Sequence, residues 1–167
     1  SLDGQFETML HASHPGQQLS IRNFGWSGDE VALQPRPLNF IGMKEWLSRH
    51  ETDVIIACFG MNESFSGDEG LAQFSQDLDA WIKSQLSNTY NGSTPPRIVL
   101  VSPIAHEDLG DPLPDGEEHN FVLQRYVDAM RQGRCFARSP LHRSLRTHEG
   151  SNGQWRGPHD DQWHPSE

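Results

Sequence analysis

Positive charge is scarce in this chain: 13 Lys and Arg stand against 23 Asp and Glu, giving a formal net charge of −10 over 167 residues. A surface that tracks nucleic acid needs a basic stripe to displace counterions, so no nucleic-acid partner is expected. Cysteine is nearly absent. Cys58 and Cys135 lie far apart and match neither metal-ligand nor redox spacing. They read as a buried small hydrophobe and an incidental thiol. Long apolar runs are missing too, the longest being "VIIACF". That is too short for a membrane span, and nothing has the shape of a signal peptide. Apolar residues make up 34% of the chain and the mean hydropathy is −0.68. Such a composition supports one domain with a modest core and leaves part of the chain outside it.

The elements alternate. Phe6, Met9 and Leu10 read as the end of a helix. "LSIRNF" (19–24) reads as a short strand entering the turn "GWSGD", and the Pro-broken loop "LQPRPLNF" follows. "IGMKEWLSRH" (41–50) has helical spacing, and "DVIIACF" (53–59) is a continuous apolar run of the kind expected for a strand covered on both faces. The segment 69–88 places Leu71, Phe74, Leu78, Trp81, Ile82 and Leu86 on one helical stripe, and "PRIVLVSPI" (96–104) is a second buried-type strand. Strand, long helix and strand make a βαβ unit, for which a right-handed crossover predicts a parallel pair. A further helix is expected over 120–130. From Arg131 to Glu167 the apolar residues are too sparse for a stripe or a strand, so the segment reads as a polar tail. The N-terminus reads as a cut end, because an amphipathic pattern starts immediately after Ser1.

In an open parallel sheet the loops leaving the carboxyl ends of the strands gather on one edge. The turns after "LSIRNF", "DVIIACF" and "RIVLVSPI" should therefore line one pocket. Gly25 and Gly28 free backbone N–H groups to point into it, and Asn62 adds a side-chain amide. Neutral donors aimed at one point form an oxyanion hole, which stabilises a negative oxygen without reorganising. Taken singly, "GWSGD" could be a turn with Ser27 or Asp29 as a helix cap, and Asn62 an Asn tolerated in a left-handed turn. Their joint occurrence after successive strands favours the site.

The pairing of "NFGWSGDE" with "FGMNES" resembles the second and third blocks of the SGNH hydrolases, the GDSL-type esterases and lipases, over residues 2–130. "GMNESF", "SPIAHE" and "LPDG…N" are similar to a bacterial, planctomycete-like subgroup. The resemblance implies an α/β fold: three-layer αβα around a short parallel, flavodoxin-like sheet. It implies Gly28 and Asn62 as the oxyanion holders, with Ser27, Glu63 and His106 near substrate. It also implies a small-molecule or carbohydrate ester as partner, and no metal or organic cofactor.

Block one, with its nucleophilic serine and first strand, is expected upstream of Ser1. In the family a late D-x-x-H block supplies the base. Asp161 and His164 fit that spelling. The degenerate codons of "PHDDQWHP" (158–165), read one nucleotide later, permit T-I-N-G-I-H, which is closer to the block. A shift of reading frame near Arg131 to Arg134 is therefore expected. The fragment 1–130 is then a partial hydrolase domain with no turnover of its own. The rival expectation is a non-catalytic glycan-binding module on the same fold.

Overall fold

A computed structural model describes residues 4–107, 110, 112 and 116–136, with 133–136 as backbone alone. The elements in order are α1 (Gln5–Ser13), α2 (Met43–Arg49), β1 (Val54–Cys58), α3 (Met61–Ser64), α4 (Gly67–Leu86), β2 (Arg97–Val101) and α5 (Gly116–Phe136). The chain is a mixed helix-and-strand protein with a small parallel sheet. β1 and β2 pair in parallel with Val54 opposite Arg97 and Cys58 opposite Val101. The βαβ unit is present as expected.

The core lies on one face of that sheet. Phe74, Leu78 and Ile82 of α4 pack with Tyr126 and Met130 of α5 and with Val31 from the long loop before α2. Ile98 and Leu100 of β2 reach them from the sheet. The stripe on α4 recurs at four-residue intervals, which brings these side chains onto one helical face. Acidic Asp68 and Glu69 in its first turn and Lys83 in its last oppose the helix dipole favourably. α5 approaches α4 closely at Gly70, where an added Cβ would lie 2.6 Å from Tyr126 Oη. That hydroxyl donates to Gly67 O at 2.7 Å, so a fully buried tyrosine keeps its polar end satisfied.

Several expectations need correction. "LSIRNF" is not a strand: 19–24 is irregular, and among the described residues only β1 and β2 form a sheet. Leu19, Ile21 and Phe24 are half-buried while their neighbours are exposed. The period of two breaks at Asn23, which is exposed, and with no neighbouring backbone to bond among the described residues the segment makes no ladder. Nor is the sheet covered on both faces by the described residues. Val54, Ile56, Val99 and Val101 are exposed at 38–44% on the face opposite the core. Cys58, at the end of β1, is exposed rather than buried.

α5 begins four residues before the expected 120 and continues to Phe136, so the first part of the supposed polar tail is helical. The expectations for Asp161, His164, the rest of the tail and a shifted frame lie outside the described residues. Among the described residues no helix is long and apolar enough to cross a membrane.

Candidate functional site

Gly28 sits in a tight turn. Asp29 N donates to Trp26 O at 3.1 Å, and Gly28 has φ +83° while Ser27 does not enter positive φ. That places glycine at the third position of a type II turn, the one that needs it. Asp29 closes the turn from the other side, its carboxylate accepting from Trp26 N at 3.1 Å. The same carboxylate meets the Arg36 guanidinium in a two-pronged pair, at 2.6 Å and 2.8 Å. Both side chains are nearly buried, at 13% and 11% exposure. The Arg36 hydrogen bond holds the Asp29 carboxyl below its ordinary value, aided by the Trp26 N–H and opposed by burial. Arg36 also lies over the Phe40 ring and reaches Phe24 O. The loop is cross-linked within itself.

Asn62 lies in α3, two residues after Gly60, which caps the helix with φ +105° in the turn that follows β1. A Cβ there would make only ordinary contacts with Met130, Phe74 and Pro103, at 3.5–3.6 Å, so it is the backbone conformation that calls for glycine. The Asn62 amide donates through Nδ2 to Asp29 O at 3.0 Å. The turn bearing Gly28 and the turn bearing Asn62 are therefore one hydrogen bond apart. Among the described residues the Gly28 N–H has no hydrogen-bond acceptor.

Glu63 was expected to face substrate, yet both its oxygens accept from backbone. Oε2 takes Gly60 N at 2.8 Å and Oε1 takes Val31 N at 2.9 Å. Ser64, the next residue, is buried at 1% and contacts His119 of α5, Oγ to Nε2, at 3.1 Å. Its hydroxyl also has Met61 O as an acceptor, 2.6 Å away, so Met61 O competes with the imidazole for the single hydroxyl proton. A buried serine in that arrangement is no nucleophile. His119 is kept neutral first by burial and then by the nearby His106. Three successive residues, Asn62, Glu63 and Ser64, thus tie α3 to the Gly28 turn, to Val31 and to α5.

His106 follows β2. Its backbone N–H and C=O are both held by the Asn120 amide, at 2.7 Å and 2.9 Å. Its ring meets Phe65 and His119 edge-on, and its Nε2 is buried without a hydrogen-bond partner among the described residues. It lines an open groove of about 590 Å³ with Glu117, Phe121 and Gln124. Ser27 is exposed in the Gly28 turn. The structure therefore brings the turn that carries Ser27 and Gly28 next to Asn62 and Glu63, through bonds to the neighbouring backbone at Asp29 and Val31. His106 contacts that cluster only through the Phe65 and His119 rings at the other end of α3.

Asp29–Arg36 and Ser64–His119 were not anticipated. A glutamate three residues after Gly60 is the spelling that predicts a bond back to the Gly60 N–H. Nothing comparable in the sequence marks Arg36 or His119. Among the described residues no cluster of His, Cys, Asp and Glu could hold a metal ion. Comparison with protein-family models, with curated proteins and with solved structures finds no match to this chain.

Proposed function

We propose that this chain carries the oxyanion-holding half of an SGNH-type ester hydrolase acting on an acyl or acetyl ester of a carbohydrate or lipid. One observation supports the reading above the others. The Asn62 amide bonds to the residue next to Gly28, so two donor-bearing turns, far apart in sequence, stand side by side at the end of β1. Asn62 Nδ2 has a second hydrogen, and the Gly28 N–H has no acceptor among the described residues. Donors so placed can polarise a bound carbonyl and stabilise the oxygen as it gains charge.

In this reading the fold extends to a three-layer αβα arrangement with a flavodoxin-like sheet. The apolar face formed by Val54, Ile56, Val99 and Val101 is where the third layer lies. The buried Ser64–His119 contact supplies no nucleophile, and the serine and base come from outside the described residues. A glycan-binding module is the second reading, favoured by that same absence of an accessible serine–histidine pair among the described residues.

The test is hydrolysis of p-nitrophenyl acetate. The chain 1–167 alone should show no turnover above background. In the product of the intact gene, Asn62→Ala should lower kcat by about 10²–10³. An unchanged kcat there would eliminate the oxyanion role, and glycan binding without turnover would favour the module.

A further inference from the structure

We propose that Glu63 is a positioning residue whose carboxylate presets the spacing between the Gly28 turn and the Asn62 turn. The inference rests on the oxyanion reading of those two turns for its purpose, but not for its geometry. A side chain waiting for substrate keeps its polar atoms available. Glu63 has each oxygen on a different backbone N–H, Gly60 at 2.8 Å and Val31 at 2.9 Å.

The pattern of bonds shows what the carboxylate does. Asn62 donates to Asp29 O and Glu63 accepts from Val31 N, so the two groups gripped flank Glu30. A parallel neighbour strand engages the same two groups, the carbonyl before a residue and the N–H after it. Two adjacent side chains therefore replace one step of a missing ladder. The segment 29–31 has no strand partner among the described residues, and its peptide groups need satisfying as Val31 enters the core at 6% exposure.

The two arms of Glu63 differ in kind. Gly60 belongs to the same turn and stays within reach whatever the loop does. Val31 is 32 residues away, and its bond is the one that fixes the loop. Only an ionised or otherwise acceptor-only group serves both arms, because both partners donate. The internal clamps of the loop, Asp29 with Arg36 and Asp29 with Trp26, keep its shape but do not attach it to α3. Attachment comes from Asn62, Glu63 and the Val31 side chain. If the Glu63 arm goes, Asn62 holds Asp29 O alone.

The test uses ¹⁵N-labelled full chain at neutral pH. Glu63→Gln keeps the volume but turns one acceptor into a donor facing an N–H. It should speed amide exchange at Val31 by about tenfold to a hundredfold. It should also move the two Asn62 side-chain amide protons toward the shifts of free asparagine. Glu63→Asp, one methylene shorter, should keep Gly60 protected and release Val31. A packing role alone would leave the near-isosteric Gln variant unchanged. Val31 and Asn62 signals unaltered in Glu63→Gln, or Val31 still protected in Glu63→Asp, would overturn the proposal.

Kinetics on the product of the intact gene separate this idea from the reading beneath it. A positioning role lowers kcat in Glu63→Gln with KM held, whereas a substrate ligand raises KM, which would also count against the proposal. Altered Val31 and Asn62 signals together with a kcat indifferent to Asn62→Ala would retain the bracket and discard the oxyanion hole.

Discussion

The two sides of the Asp29–Asn62 hydrogen bond are built on different principles. From Val54 to Met130 the chain is held by apolar burial between α4, α5 and one face of the sheet, and by a backbone ladder. From Phe24 to Phe40 it has no ladder and no helix, and its shape comes from an ion pair, a type II turn and ring contacts. The first kind of order depends on volume and contact area, the second on charge and hydrogen-bond direction. Substitutions can therefore damage one without the other. The donors of the candidate site come from both sides, so the site depends on whichever region is weaker under the conditions used.

The largest effect should follow from the core. Phe74, 3% exposed, packs on Tyr126 with ring centroids 5.0 Å apart. Phe74→Ala should cost about 3–5 kcal/mol in urea unfolding and should lower protection in the loop and the core together. If loop protection survived such a loss, the two regions would be more independent than their shared residue Val31 implies.

A smaller effect, confined to the loop, is expected from the ion pair. Arg36→Met leaves the Asp29 carboxylate nearly buried with only the Trp26 N–H, and should cost about 2 kcal/mol. Adding Asp29→Asn should recover part of that, since a neutral amide needs no counter-charge. Exchange in α4 and α5 should not change in either variant. Faster exchange there would mean that the loop supports the core as well as the reverse.

Acid sharpens the contrast further, with the smallest expected effect. His119 sits on the core side with a folded value below the 6.5 of a free imidazole, owing to burial and then to His106. The folded state therefore binds this proton less readily than the unfolded chain. Its contribution is full above that ordinary value and is lost as pH falls toward the lower folded one. Asp29 sits on the loop side, with its folded value below 3.8 because of Arg36. Its contribution is present above 3.8 and disappears only as pH falls through that lower folded value. Unfolding midpoints measured from about pH 7 to pH 5 should drop, and His119→Gln should flatten the drop. A slope unchanged in that variant would assign the acid sensitivity to other groups.

The regular half was legible in the sequence. The apolar run 53–59 became β1 at Val54–Cys58, the run 96–104 became β2 at Arg97–Val101, and the stripe of 69–88 became α4 at Gly67–Leu86. Periodicity reports burial on elements with a backbone pattern of their own, and these have one. It did not reveal that Val54, Ile56, Val99 and Val101 would face outward, because an unbroken apolar run carries no alternation to tell the two faces apart. "LSIRNF" has the apolar content of a short strand, but a strand is made only by pairing with a second segment, which a single run of residues does not specify.

The turns of Gly28 and Asn62 were legible as turns, through glycine at the position that needs positive φ. What joins them was less so. Glu63 carries a local signal in its spacing from Gly60, yet its bond to Val31 crosses 32 residues with no pattern to announce it. The same holds for Arg36 with Asp29 and for His119 with Ser64, contacts that exist only once the backbone has brought them together.

One feature of the loop bears on how such a sequence can change. Where a segment is aligned by a ladder, a single inserted residue flips every following side chain to the opposite face. The segment 29–31 is aligned by two side-chain bonds and one buried valine. An insertion near Leu38, 95% exposed and beyond the Asp29–Arg36 pair, is absorbed by the loop before it reaches α2. Between the Arg36 pair and α2, the stretch around Leu38 can therefore gain or lose residues while the Gly28 turn stays in place. Sequence length there is free to drift, whereas Asp29 is tied to Arg36 by its side chain, and the backbone at 29 and 31 is tied to Asn62 and Glu63.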